Sequence, residues 1–142
     1  MKKLSLELEL EIRFSETDAM GFVWHGNYLK YFEDAREKFG QHYQMEYLDM
    51  YRKDFLTPIV KTELDHIASV YYGDRIKVKI EQIYQKAAKL VFQYEVYNLS
   101  TNVLATRGKT TQVFISASER KLQLIKPEFY SAWENSQPWI EN

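Results

Sequence analysis

Residues 4–14 read Leu-Ser-Leu-Glu-Leu-Glu-Leu-Glu-Ile-Arg-Phe, with every even position apolar and every odd position polar. Wound into a helix, a period of two scatters apolar groups around the whole cylinder. Extended, it gathers them on one face. Leu and Glu each favour helix, but the period outweighs the propensity and predicts a long strand over 4–14 with a single apolar face. That face needs a cover, and the next segment supplies one. Tyr28, Phe32, Ala35, Phe39 and Tyr43 recur at steps of three and four, forming one helical stripe. Lys30, Glu33, Asp34, Glu37 and Lys38 take the opposite side. Gly26 or Asn27 suits the N-cap, Asn27 being the better satisfier of free N–H groups. Gly40 stands where it would end or weaken the helix. The spacings of Asp34 to Lys38 and of Glu33 to Arg36 predict ion pairs along the helix surface.

Beyond the helix the period returns to two. A short second helix is expected around 45–53, then a loop to Pro58. Strands are expected over 59–70, 75–84, 88–97 and 103–115. Turns fall at Tyr-Tyr-Gly-Asp, 71–74, and Asn-Leu-Ser-Thr-Asn, 98–102. A short helix opening at Pro127 is expected to carry Trp133 and Trp139. Strand, long helix and four strands at hairpin spacing make an α+β domain of two layers, with the late strands antiparallel neighbours. The 142 residues fit a single domain over 1–142.

Composition narrows the function. The formal charge is −1 and no long basic run occurs, which argues against a general nucleic-acid partner. Lysines do recur at 77, 79, 86 and 89, a candidate local basic rim. The chain has no Cys, so thiolate ligands, disulfides and a Cys nucleophile are excluded, and the expected compartment is the cytoplasm. The alternating N-terminus argues against a signal peptide, so none is expected, and no apolar run approaches membrane-spanning length. The three histidines, 25, 42 and 66, lack metal-ligand spacing, so no metal site is expected. His42 suits the C-terminal end of the long helix, where a cation favours the dipole.

The remaining chemistry lies in Ser-Glu-Thr-Asp-Ala-Met-Gly-Phe-Val-Trp-His-Gly-Asn-Tyr-Leu, 15–29, a loop from a strand end to a helix start. Helix N-termini present free N–H groups and partial positive charge. Such a point can polarise a carbonyl and stabilise the oxyanion formed when it is attacked. Asp18, aimed there, has the chemistry of a general base or a nucleophile. Phe22, Val23 and Trp24 would exclude water, and Gly26 would admit a ligand close to the backbone. The same residues also suit plain structural roles: Asp18 as a turn former, His25-Gly26-Asn27 as a cap, His66 as a half-buried strand histidine.

Thr17, Asp18, Gly21, Val23, Trp24, His25, Asn27, Tyr28, Phe32, Glu33, Ala35 and Arg36 resemble the signature of the hydroxybenzoyl-CoA thioesterase family of hot-dog acyl-CoA hydrolases. Tyr-Gly-Asp-Arg with the following strand, 72–80, resembles its Gly-Asp turn. The resemblance implies a five-stranded antiparallel sheet wrapped around a long central helix. It also implies a homodimer or homotetramer with sites between subunits. It makes Asp18 the catalytic carboxylate and gives His25 an assisting role. Carbonyl-polarising N–H groups would lie at His25 to Asn27. Trp24, Gly26, Asn27 and His66 would border the substrate. Phe22 stands where a smaller residue is usual and Trp24 where Tyr is common, which reshapes the acyl pocket.

The expected activity is hydrolysis of an acyl-CoA thioester to acid and CoA. No cofactor is required, since CoA enters only as part of the substrate. Lys61, Arg107, Lys109, Arg120 and Lys121 are candidates for its phosphates. Two alternatives stand beside this: a hot-dog hydratase or dehydratase, for which Glu33 with His66 is the local pairing to try, and a non-catalytic acyl-CoA-binding protein.

Overall fold

The computed structural model describes residues 1–141. Strand β1 spans Lys2–Glu11, and helix α1 spans Asn27–Tyr43. A short α2 (Tyr47–Arg52) and a two-residue β2 (Phe55–Leu56) lead into β3 (Ile59–His66). Then come β4 (Arg75–Ile83), β5 (Lys89–Asn98), β6 (Val103–Ser116), the short β7 (Leu122–Gln123), α3 (Glu128–Asn135) and β8 (Ile140–Glu141). The five long strands form one antiparallel sheet in the order β3-β6-β5-β4-β1, with β2, β7 and β8 as two-residue additions at its margins. Helix α1, roughly 26 Å long at ~1.5 Å per residue, lies across one face. This is the expected hot-dog arrangement. No helix among the described residues is long and apolar enough to cross a membrane.

The alternating pattern acts as expected. Leu4 is buried, and Leu6, Leu8 and Leu10 pack against the core. In register, Leu6, Ile80, Tyr94, Gly108 and Leu64 form one row across all five strands. Phe32 of α1 sits on this row, stacked on Tyr94 at 4.2 Å between ring centroids. Gly108 makes that approach possible, because a Cβ there would stand 2.3 Å from the Phe32 ring. Tyr28, Phe32, Ala35 and Phe39 are buried as the stripe requires. The opposite face of the sheet is charged, with Lys77–Glu7, Arg75–Glu11 and Lys3–Glu81 bridging neighbouring strands.

Several local expectations change: among the described residues Asp34 and Lys38 form no ion pair, the strand expected over 59–70 ends at His66, and Trp139 lies beyond α3. Strand β1 ends at Glu11, because its partner β4 begins at Arg75 and offers no ladder beyond it. The chain turns through a 3₁₀ segment, Phe14–Glu16, that leaves Phe14 exposed. Gly40 does not end α1. The helix runs to Tyr43 and stops where Gln44 takes a left-handed conformation, its N–H bonded to Gly40 O. Asn27 does not cap the helix; Gly26 holds that position without a side-chain bond. Arg36 does not pair with Glu33. It turns inward and donates to the Tyr47 and Tyr94 hydroxyls, partners from α2 and β5 that helical spacing cannot reveal.

Candidate active site

The segment from β1 to α1 is a small hairpin. Thr17 and Val23 bridge, Asp18 N–H donates to Phe22 O (2.7 Å), and Gly21 N–H donates to Asp18 O (3.0 Å). Gly21 sits at φ +83°, a conformation that favours glycine, and this lets the chain double back so tightly. The hairpin is pinned to the loop between β3 and β4 by Val23 N–H to Val70 O and Tyr72 N–H to Gly21 O. Asp18 stands at its tip. Its Oδ1 accepts the backbone N–H groups of Met20 (2.9 Å) and Phe22 (3.2 Å). Its Oδ2 has no protein partner among the described residues. The carboxylate is therefore oriented by its own turn, with one oxygen left for a substrate or a water.

Glu16 ties this hairpin to the helix, and sequence reasoning missed it. The carboxylate is buried. Oε1 accepts Arg13 N–H (2.8 Å) and the Tyr31 hydroxyl (3.1 Å), and Oε2 pairs with Lys30 Nζ at 2.6 Å. The Glu16 carbonyl accepts Trp24 N–H (3.0 Å) and Asn27 Nδ2 (2.7 Å). Burial alone would raise its pKa. The hydrogen bonds from Lys30 and the Arg13 backbone, with the Lys30 charge, more than reverse this and hold it below the ordinary carboxylate value. The available signal was Glu16 to Lys30 and Tyr31, but their contact depends on the 3₁₀ turn that tucks residue 16 under α1.

At the helix start, Asn27 N–H donates to Trp24 O (2.9 Å) and Tyr28 N–H to His25 O (3.4 Å). The N–H groups of His25 and Gly26 have no acceptor among the described residues. They are the two donors open to a ligand, so the expected donor set of 25–27 loses Asn27, whose backbone and side chain both hold the loop in place. Gly26 has ordinary helical dihedrals. Its glycine is a matter of space, since a Cβ would lie 2.1 Å from the Trp24 indole.

Trp24, His25, Tyr28 and His66 come together as a ring cluster. Centroids lie 4.9 Å apart for Trp24–His25, 6.4 Å for His25–His66 and 5.3 Å for Tyr28–His66. Tyr28 is buried, and burial pushes its hydroxyl pKa up, so it stays a neutral wall. His66, at the end of β3, thus stands beside the helix start rather than within the core. Asp18 shares no hydrogen bond or ion pair with His25 or His66, and all three are exposed in the single chain. Glu33 and His66 likewise share no hydrogen bond or ion pair among the described residues. Among the basic candidates, Lys61 faces Glu63 at 3.9 Å and Lys121 faces Glu119 at 3.4 Å.

A family model for the thioesterase-like superfamily matches residues 12–133. A Bacillus subtilis protein named "Putative acyl-CoA thioesterase YneP" is 28% identical over 131 residues, spanning 90% of this chain and 94% of that protein. The DHNA-CoA thioesterase of Staphylococcus aureus superposes with a TM-score of 0.80 at 29% identity, covering 92% of this chain and 89% of that one. The 4-hydroxybenzoyl CoA thioesterase of Pseudomonas sp. strain CBS-3 shares the fold with a TM-score of 0.78 at 19% identity, covering 91% and 98%. With the family match running from the end of β1 through the hairpin, the helix and the sheet to α3, the chain belongs to the thioesterase-like superfamily.

Proposed function

We propose that the chain hydrolyses an acyl-CoA thioester, with Asp18 as the reacting carboxylate and the His25 and Gly26 N–H groups as the oxyanion donors. One observation carries the reading. The hairpin that orients Asp18 through Met20 and Phe22 N–H runs directly into two unpaired N–H donors at a helix start. Asp18 deprotonates a water that attacks the thioester carbonyl, or attacks it directly to give an anhydride that water then opens. In either route the carbonyl electrons collect on the oxygen held by the two N–H groups, and their return expels the CoA thiolate. His25, beside those donors, orients the acyl group. The Trp24, His25, Tyr28 and His66 rings offer stacking surfaces, and a Nostoc punctiforme relative named 1,4-dihydroxy-2-naphthoyl-CoA hydrolase, 28% identical over 131 residues, supports an aromatic acyl group. A thiol-release screen should therefore favour aryl over palmitoyl CoA esters. Asp18→Asn should lose most turnover while still binding CoA. Tight acyl-CoA binding with no thiol release by the unsubstituted protein would instead indicate a binding protein.

The active unit is a homodimer paired through β3. Nearly every residue of β3 is exposed, including Ile59 and Val60, and among the described residues only one of its edges is bonded, to β6. A long unpaired edge of this kind is a template for another strand. A second copy there would enclose the exposed Asp18 and His66 region. Sedimentation should give a two-copy mass, and Val60→Asp should shift it to one copy. A monomer at micromolar concentration would sink this assignment.

A further inference from the structure

A cavity of about 370 Å³ opens on the far half of α1, between that helix, α2 and the sheet, and none of the residues proposed for thioester hydrolysis lines it. The volume falls within the range of small-molecule sites. Its walls are Phe39, Met45, Met50, Leu90, Phe92 and Trp133. Arg36 lies among them, 8% exposed. A cation this buried ordinarily has a carboxylate partner, yet no ion pair reaches Arg36 among the described residues. Its Nε donates to Tyr47 Oη (3.0 Å) and its Nη1 to Tyr94 Oη (2.9 Å), which leaves three of its five N–H groups without a protein acceptor. Tyr47 Oη already accepts from Arg36 and, at 3.4 Å, from Gln112 Nε2, so its own proton is also unassigned. The cavity therefore has an apolar body and a buried surplus of positive charge and donors.

We propose that this cavity is a second ligand site for an apolar monocarboxylate, whose carboxylate binds Arg36 and Tyr47 and whose hydrocarbon lies along Phe39 and Phe92. Glu33, Asp34, Glu37 and Glu46 stand at the rim. Glu33, Glu37 and Glu46 face solvent, where salt screens them, whereas the Arg36 charge is shielded from it. The rim weakens the site without reversing its preference. An apolar carboxylate is also what thioester hydrolysis releases, so the free acid could act back on the protein here. Binding itself does not depend on that activity.

The test is titration of the full chain with octanoate, octanamide and 1-octanol, followed by NMR of the Arg36 Nε–H and Gln112 side-chain amide signals. Octanoate should shift both and bind at least about tenfold more tightly than either neutral analogue, the scale of a hydrogen-bonded charge. Glu37→Gln should tighten octanoate binding. Tyr47→Phe, at a half-exposed position that leaves the core intact, should weaken it several-fold, and Arg36→Gln should abolish it. The proposal falls if octanamide binds equally well, or if shifts appear only at residues 18–27. It also falls if millimolar octanoate moves no signal. Turnover of acyl-CoA by the same samples tests the hydrolase reading separately.

Discussion

Two buried carboxylate–lysine pairs stand at opposite ends of the molecule and behave in opposite ways. Glu16–Lys30 fastens the Asp18 hairpin to the start of α1, at 2.6 Å. Lys126–Glu134 fastens α3 beside Tyr84, at 2.9 Å. Both carboxylates are 6% exposed, yet the pKa of Glu16 is lowered and that of Glu134 is raised. In both, burial is the largest influence and pushes upward. Glu16 overcomes it with a backbone N–H, a tyrosine hydroxyl and a lysine that is itself 45% exposed. Glu134 has only Lys126, which is 9% exposed and lies over the Tyr84 ring. The number of hydrogen bonds to the charged form, rather than the presence of an opposite charge, decides whether a buried acid stabilises its surroundings.

The comparison has an activity side and a stability side. The largest effect expected is Asp18→Asn, with kcat falling about 10²- to 10⁴-fold and little change in Tm, because its Oδ1 bonds can be kept by the amide oxygen. Next, Lys126→Met should cost roughly 3 kcal/mol at neutral pH by stranding Glu134, with kcat unchanged. Combining it with Glu134→Leu should recover most of the loss, as seen in chemical denaturation. A Lys126→Met protein as stable as the parent would erase the contrast between the two ends. Glu16→Gln should cost only about 1–2 kcal/mol, since Lys30 can turn to water. It should also lower kcat by loosening the hairpin, while leaving CoA affinity nearly unchanged.

The smallest effect is the pH dependence of unfolding, and its sign differs between the two ends. For Glu16 the folded pKa lies below the unfolded one. Its contribution is complete above the ordinary carboxylate range and is lost as pH falls through the folded value. For Glu134 the folded pKa lies above, so its contribution is complete below that range and is lost as pH rises through the folded value. Stability measured from about pH 3 to 6 should flatten in Glu16→Gln and steepen in Glu134→Gln. Parallel curves would show that the two pairs are equivalent.

Elements whose partners lie within one turn or one period were readable from the sequence: the alternation of β1, the stripe of α1, and the turns at 71–74 and 98–102. Features set by distant partners were not. Strand β1 stops where β4 begins, β2, β7 and β8 are two-residue ladders, and Arg36 follows Tyr94, 58 residues away. The site divides in the same way. The placement of Asp18, Trp24, His25 and Gly26 around one helix start was legible because strand, loop and helix are contiguous there, while the roles given to them are proposals. Glu16 was not, because its importance arises from a 3₁₀ turn and from contacts to Lys30 and Tyr31 made only after folding. His66 fitted a structural histidine by pattern, and only sheet register sets its ring against Tyr28 and His25.

The indole that fills the space beside Gly26 has a consequence for anyone wishing to retune this protein. Positions 24 and 26 are not independent variables. A library that varies residue 26 alone will measure how readily the half-exposed Trp24 ring swings aside, because any Cβ there meets that ring. Shrinking Trp24 first would open that position to new side chains immediately beside the two unpaired amides, and only paired substitutions would reveal how much freedom the site has.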